Sequence, residues 1–261
     1  MVECEFALPC FLSRAGDARV TDKVNLVPNS MNDPVSIITG AGSGIGRAIA
    51  VELDRLGHRT VLLGRTEPKL RETSQLLSKP SLLIPTDVTK VEQVEDAVQQ
   101  TLREFGRIDA IINNAGVAPV LNILQTTPQT WHDVIDTNLS AAFYLARAVW
   151  PTFAKQNAGV IVNISSMAAK DPFPGFLAYG AAKAGLSNLG ISLAREGAVH
   201  GIRVHTIAPG AVETQMFRNI LSPQEFPTEN TLSPVEVAKV VGQCVLGEGR
   251  YVSGEVIWLS K

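Results

Sequence analysis

The sequence is short of cysteine, of surplus positive charge and of long apolar runs, and each shortage removes a class of function. Cys4, Cys10 and Cys244 are its only cysteines in 261 residues. Three cannot all pair, and no CxxC or Cys/His ligand spacing occurs, so neither a disulfide scaffold nor a zinc site is supported. Unpaired thiols suit a reducing compartment, and the cytoplasm is the expected location. Lys and Arg number 23 against 25 Asp and Glu, a net charge of −2. That lacks the basic excess needed to neutralise a nucleic-acid backbone. No apolar stretch approaches the roughly 20 residues that cross a bilayer, so no membrane partner is expected. The early run FALPCFL follows Glu3 and Glu5 rather than positive residues, unlike a secretory signal. The GxxxxGK-Ser/Thr loop of ATP and GTP hydrolases is missing. His58, His132, His200 and His205 show no metal spacing and are expected to be structural or exposed. Trp131, Trp150 and Trp258 are expected to be packing anchors.

What is present is a regular alternation. Residues 1–33 stand apart, without a clear period and ending in the turn-prone VPNSMNDP. They are expected to form a poorly ordered tail, or to reflect a misassigned start with Met31 as the true one. From residue 34 to 261 a single domain is expected. Its β-rich runs are VSIIT (35–39), TVLLG (60–64), SLLIP (81–85), IDAIINN (108–114), GVIVNIS (159–165), IRVHTIAP (202–209) and GEVIWL (254–259). Helical spacing fills Ile45–Leu56, Val91–Phe105, Trp131–Gln156 and Tyr179–His200. Strands alternating with helices imply βαβ units and a parallel sheet. Continuously apolar early strands imply helices on both faces. The expected fold is therefore α/β, a doubly wound Rossmann sheet of about seven parallel strands.

The first strand leads into TGAGSGIGRAIA, where Gly40, Gly44 and Gly46 sit between strand and helix. Glycine permits a tight turn and close backbone approach to a pyrophosphate, and the helix N-terminus favours an anion. Placed after a first strand, this turn predicts nucleotide binding, with Ser43 and Ile45 beside the ligand. The second strand chooses between cofactors. An acidic residue at its tip would bind the ribose 2′-OH of NAD, whereas an arginine accommodates the 2′-phosphate of NADP. Here the tip reads Gly64-Arg65-Thr66, and Glu67 comes too late. Arg65 is expected to select NADP(H), with Arg47 and Ser43 assisting and NAD the alternative.

Further segments follow in order: Asp87-Val88, NNAG (113–116), Asn138, NISS (163–166), YGAAK (179–183) and PGAVET (209–214). Together with TGAGSGIG, they make the chain resemble the short-chain dehydrogenase/reductase family in its compact single-domain form, over about residues 35–259. The resemblance implies nicotinamide-dependent oxidoreduction, commonly in a homotetramer or homodimer, and a catalytic set of Asn138, Ser166, Tyr179 and Lys183. Tyr179 and Lys183, four apart, share a helix face. The ammonium and an oxidised nicotinamide are expected to lower the tyrosine pKa from about 10, so that Tyr179 exchanges a proton with the substrate oxygen. By resemblance, Lys183 also holds the nicotinamide ribose. Ser166, thirteen positions before Tyr179, is expected to stabilise charge on the substrate oxygen; Ser165 is the competing choice and the better candidate for capping backbone groups. Asn138, a mediocre mid-helix residue, would bend its helix and hold a water linking Lys183 to solvent. Asn113, Asn114, Ala115 and Gly116 would lie beside the cofactor, Asp87 and Val88 beside adenine, and Pro209, Gly210, Val212 and Thr214 over nicotinamide.

The substrate is expected to be a small or medium ketone, aldehyde or alcohol. The alternatives are a β-ketoacyl carrier-protein reductase and a non-catalytic NADP-sensing or scaffold protein. Two features depart from the family. The segment from Gln215 to Leu232 is short, suggesting a mobile loop and a modest or open pocket. The chain also ends GEVIWLSK without a Gly-Gly pair.

Overall fold

A computed structural model describes residues 33–248 and 251–261. Residues 1–32, and with them most of the expected tail, the alternative start at Met31, Cys4 and Cys10, lie outside the described residues. The apolar runs form β1 (Val35–Thr39), β2 (Arg59–Gly64), β3 (Leu82–Pro85), β4 (Ala110–Asn113), β5 (Gly159–Ile164), β6 (Ile202–Pro209) and β7 (Val256–Leu259). They build one parallel sheet of seven strands in the order β3-β2-β1-β4-β5-β6-β7, as expected.

Successive strand residues point to opposite faces, and both faces are apolar. Ile38, Leu62, Ile112 and Val162 face one layer, which contains α1 (Gly44–Arg55), α2 (Glu67–Ser74) and α8 (Pro234–Leu246). Ile37, Leu63, Ile111 and Ile161 face the other, formed by α3 (Val91–Phe105), α5 (Ala141–Gln156) and α6 (Leu177–Gly197). This two-sided burial explains why the strands lack polar alternation. The two remaining α-helices among the described residues are α4 (Pro128–Ile135), which follows β4, and the short α7 (Gln215–Arg218), which follows β6. Val134 of α4 packs on Ala178 and Ala182 of α6.

The expected helix over Trp131–Gln156 is interrupted. Residues Asp136–Ser140 form a π-helical turn between α4 and α5. Asn138 supplies the cause: its Nδ2 donates to the Val134 carbonyl, the ordinary i−4 acceptor, at 2.9 Å, and to the Val117 carbonyl, also at 2.9 Å. A side chain competing for a backbone acceptor in this way favours the wider turn. Helices α2 and α8 were not among the expected stretches. A reciprocal capping box starts α8: Ser233 Oγ accepts the Glu236 N–H, and Glu236 accepts the Ser233 N–H, with Pro234 at the first helical position.

Trp150 packs against the α3–α5–α6 layer as a core anchor. Trp131 and Trp258 instead remain 37% and 40% exposed, and the Lys170 ammonium lies 4.3 Å from the Trp258 ring centroid. Among the histidines, His58 is buried and bonds Ser36. His205 is buried in β6 with neither ring nitrogen partnered among the described residues, and burial pulls its pKa down to about 4. Cys244 is free and buried, its thiol pushed up to about 12 by desolvation. Among the described residues no helix is long and apolar enough to cross a membrane.

Candidate active site

Between β1 and β4 the strand order reverses, and ligands of open α/β sheets bind outside the carboxyl ends of the strands at such a point. There the turns after β1 to β6 line a cleft of about 590 Å³.

The phosphate end is built by close approaches. Gly40 and Gly44 have φ of +65° and +51°, the left-handed region that side chains rarely adopt. A Cβ on Gly40 would lie 2.9 Å from Asn114 Nδ2 and 3.0 Å from Ala115 Cα. Thr39 locks this contact: its Oγ1 accepts the N–H groups of Asn114 and Ala115, while Asn114 Nδ2 donates to the Thr39 and Gly40 carbonyls. Ser43 caps α1 without committing its hydroxyl to the helix, leaving it and the open helix N-terminus facing the cleft. This cradle has the shape and donors for a dinucleotide pyrophosphate.

Gly40, Ser43, Gly44, Ile45, Arg65, Asp87, Val88, Asn114, Ala115, Gly116, Pro209, Gly210, Val212 and Thr214 all line the cleft, as do Asn138, Ser166, Tyr179 and Lys183. Three residues named from the sequence do not. Gly46 packs instead, since a Cβ there would meet the Gly40 carbonyl oxygen at 2.3 Å. Asn113 turns into the sheet and donates to Asn163 Oδ1. Arg47 is spent on the Gly42 carbonyl, Thr73 and Glu72, so it is not free to assist Arg65. Lys69 lines the cleft with Arg65 and Thr66 at the end of β2, a contribution visible only once α2 is placed. Glu67 pairs with Arg71 and stays outside. Partial burial raises the Asp87 carboxyl, but the Thr89 N–H and hydroxyl and the charge of Arg65 outweigh this and hold it below its usual value.

At the centre, α6 presents Tyr179 and Lys183 on one face, opposite the end of β5. Lys183 Nζ donates to the Ile164 carbonyl at 2.8 Å, and burial lowers its pKa to about 8. Tyr179 runs against expectation: desolvation raises its phenol above the ordinary value, while a hydrogen bond with Ser166 works the other way. Both serines bond backbone groups, the role expected of Ser165. Ser166 Oγ accepts the Ala168 N–H and caps the turn Met167–Ala169. Ser165 bonds the Lys183 carbonyl and Ser187, which fixes α6 to β5. Asn138 Oδ1 is buried without a partner among the described residues. It lies close to Gly116 and Lys183, because a Cβ on Gly116 would sit 2.7 Å from that oxygen and 3.6 Å from Lys183 Nζ.

The far end is apolar and comes from two loops, the first of them without a motif in the sequence. One carries Phe173 and Phe176; the other carries Met216, Phe217, Ile220 and Phe226. The second loop lies in the segment from Gln215 to Leu232 that was expected to be mobile. Arg218 ties it together, bonding both oxygens of Glu213, the carbonyls of Leu221 and Phe226, and Thr228.

A glycine turn at the sheet's switch point, continued by Ser166 and Tyr179 around the buried Lys183, has the form of a nucleotide-binding oxidoreductase site. The comparisons make the class specific. The family described as short chain dehydrogenase matches residues 34–225. An uncharacterized oxidoreductase of Staphylococcus aureus (strain MRSA252) is 34% identical over 213 residues, 81% of this chain and 90% of its own length. The 3-oxoacyl-acyl-carrier-protein reductase of Salmonella typhimurium is 32% identical over 234 residues, 87% of this chain and 96% of its own. Levodione reductase superposes with a TM-score of 0.82 at 31% identity, covering 87% of this chain and 96% of that one. The 3-ketoacyl-(acyl-carrier-protein) reductase of Brucella melitensis, solved complexed with NADH, gives 0.82 at 26% identity over 88% and 98%. The chain belongs to the short-chain dehydrogenase/reductase family and is an NAD(P)-dependent oxidoreductase.

Proposed function

We propose that the protein interconverts a carbonyl compound and its alcohol with NADP(H) as the preferred cofactor and Tyr179 as acid/base. The observation that carries this reading is the convergence of Ser166, Tyr179 and Lys183 on the cleft that the glycine turn opens. Gly40, Ser43, Gly44 and Ile45 would hold the pyrophosphate, Asp87 and Val88 the adenine, and Asn114, Ala115, Gly116, Pro209, Gly210, Val212 and Thr214 the nicotinamide side. The exposed Arg65, with Lys69 beside it, would take the 2′-phosphate through charge-assisted bonds. When bound, the nicotinamide supplies or accepts the hydride.

The remaining chemistry belongs to the chain. Ser166 donates a hydrogen bond to the substrate oxygen and stabilises charge there. Tyr179 passes its proton to that oxygen in reduction and takes it back in oxidation. Its raised pKa in the ligand-free protein favours the neutral, proton-donating form. Lys183 brings a positive charge to the same pocket and would hold the nicotinamide ribose. The orphaned Asn138 Oδ1 offers an acceptor for a water through which Lys183 reaches solvent. We place the single domain at 34–261, after a tail ending at residue 33, and assign a homodimeric or homotetrameric state. Among the described residues Cys244 is free, which fits a reducing compartment, so the cytoplasm is the assigned location.

The comparison with the Salmonella reductase favours a second reading, reduction of an acyl thioester on a carrier protein. Titration with NADPH and NADH, followed by turnover of simple ketones and a β-ketoacyl thioester, tests both. Tighter NADPH binding and ketone reduction abolished in Tyr179→Phe support the first reading. Thioester turnover far above ketone turnover selects the second. Cofactor binding without turnover of either would leave a sensor or scaffold.

A further inference from the structure

We infer that the substrate half of the cleft is built for an uncharged carbonyl compound with a flat apolar body, and that it selects against carboxylates; this rests on the oxidoreductase reading above. The first observation is an aromatic rail. Phe176 stands 5.2 Å from the Tyr179 ring, centroid to centroid, and Phe173 follows 6.0 Å beyond Phe176. The rail runs outward from the proposed proton donor to the cleft mouth, where Phe173 is 64% exposed. It is fixed from behind. Leu121 N–H donates to the Gly175 carbonyl at 2.9 Å, and Gly175, at φ +92°, sits where a Cβ would strike Val120 at 2.6 Å.

A second aromatic pair comes from the other loop. Phe217 and Phe226 meet edge to face at 5.4 Å, and Arg218 fastens the segment between them. Two aromatic pairs from separate loops lining one cleft suit a planar or ring-shaped apolar body.

The third observation is charge. The basic side chains lining the cleft are Arg65, Lys69 and Lys183. The first two stand at the end of β2, on the nucleotide side, and the third is bonded to Ile164. On the loops 167–176 and 215–226 the sole ionisable lining residue is Asp171, which is in no ion pair among the described residues. A substrate carboxylate there would meet apolar walls and a like charge, with no cation to offset its desolvation.

The test uses the protein with NADPH and cyclic ketones of growing apolar bulk, from cyclopentanone to 4-tert-butylcyclohexanone, beside 4-oxocyclohexanecarboxylate. The expected kcat/KM rises with bulk, approaching about fourfold per buried methylene, and the carboxylate lies below its neutral methyl ester. Phe173→Ala and Phe217→Ala flatten the rise with bulk. Asp171→Lys shrinks the ratio of ester to carboxylate. Calorimetric binding of the matching alcohols to NADP+-saturated protein reads the same ranking without turnover. Absence of turnover with the binding ranking intact would therefore count against the oxidoreductase reading and leave the ligand class standing. A carboxylate bound or turned over as well as its ester, or a ranking indifferent to bulk, overturns the proposal.

Discussion

Lys183 donates its ammonium to the carbonyl oxygen of Ile164 at 2.8 Å, so the buried charge is anchored to the last residue of β5, with the Tyr179 ring centroid 5.7 Å away. This bond joins the helix that carries the proposed proton donor to the centre of the sheet. It also leaves a cation in a desolvated place, which has thermodynamic consequences.

The Lys183 pKa is lowered to about 8 in the folded protein from 10.5. Between these values the unfolded chain binds more protons, so this residue makes stability increase from pH 8 to pH 10.5 by up to about 3 kcal/mol. Urea unfolding across that range should show the rise in the wild type and its loss in Lys183→Met. The same variant should lose about 100-fold or more in kcat/KM, the usual scale for an impaired proton-transfer group. An unchanged pH slope would contradict the buried charge.

His205 titrates by the same logic in acid. Its folded pKa is lowered to about 4 from 6.5, first by desolvation and then by Arg203. Protonation on unfolding therefore erodes stability as pH falls from 6.5 towards 4, by up to about 3 kcal/mol. His205→Leu should remove this part of the acid sensitivity, read as a flatter dependence of the unfolding midpoint on pH. Equal acid sensitivity in both proteins would show that the ring is already protonated or hydrated in the fold.

Arg65→Ala should weaken NADPH binding by about 10- to 100-fold, the scale of lost hydrogen bonds to a charged group, and leave NADH binding nearly unchanged. Lys69→Ala should act in the same direction with a smaller effect. Fluorescence titration at two salt concentrations checks both, because the contribution of exposed charges declines with ionic strength. Parallel losses for the two cofactors would assign Arg65 to the common part of the nucleotide.

Gly46→Ala should destabilise the protein by about 1–3 kcal/mol through overpacking, since its Cβ would meet the Gly40 carbonyl oxygen at 2.3 Å and Asn114 Nδ2 at 2.5 Å. Cofactor affinity should fall too, because the phosphate turn must move. Thermal unfolding with and without NADPH reads both effects. A variant as stable as wild type would mean that the turn and α1 separate easily.

Arg218→Ala should raise KM for the carbonyl substrate roughly tenfold with a smaller effect on kcat, as expected when substrate-positioning contacts are lost away from the reacting groups. Arg218→Lys should recover little, because one ammonium cannot reach Glu213, Leu221, Phe226 and Thr228 in the same fork. Steady-state kinetics gives the split. A fall in kcat alone would place the loop's role in chemistry rather than in binding.

The sheet was legible because local pattern and tertiary role agree there. Ile202–Pro209 is a strand to the residue, and Val91–Phe105 a helix. Helix α2 was not, because EPKLRETS is mostly polar and buries only Leu70 and Thr73. A signal for α8 was available in Ser233-Pro234 and Glu236, which form its capping box. Within the site, motif residues set by strand ends reached the cleft. Gly46 and Asn113 did not, since spacing cannot distinguish a glycine or an amide that packs inward from one that lines the surface. The phenylalanines at the far end had no motif, because they meet only when two loops some forty residues apart fold over the same strands.

The π-turn at Asp136–Ser140 sets an angle as well as a bend. One helical residue corresponds to about 100° of rotation. Val134 before the turn faces α6, and Leu145, Val149 and Phe153 after it face the sheet. A π-turn takes about one residue more than an α-turn to complete a rotation, so continuing α4 into α5 as plain α-helix at the same chain length would swing those three side chains away from the sheet by about that angle. Chain length here acts as a phase, which the wider turn resets so that α4 can face α6 while α5 faces the sheet.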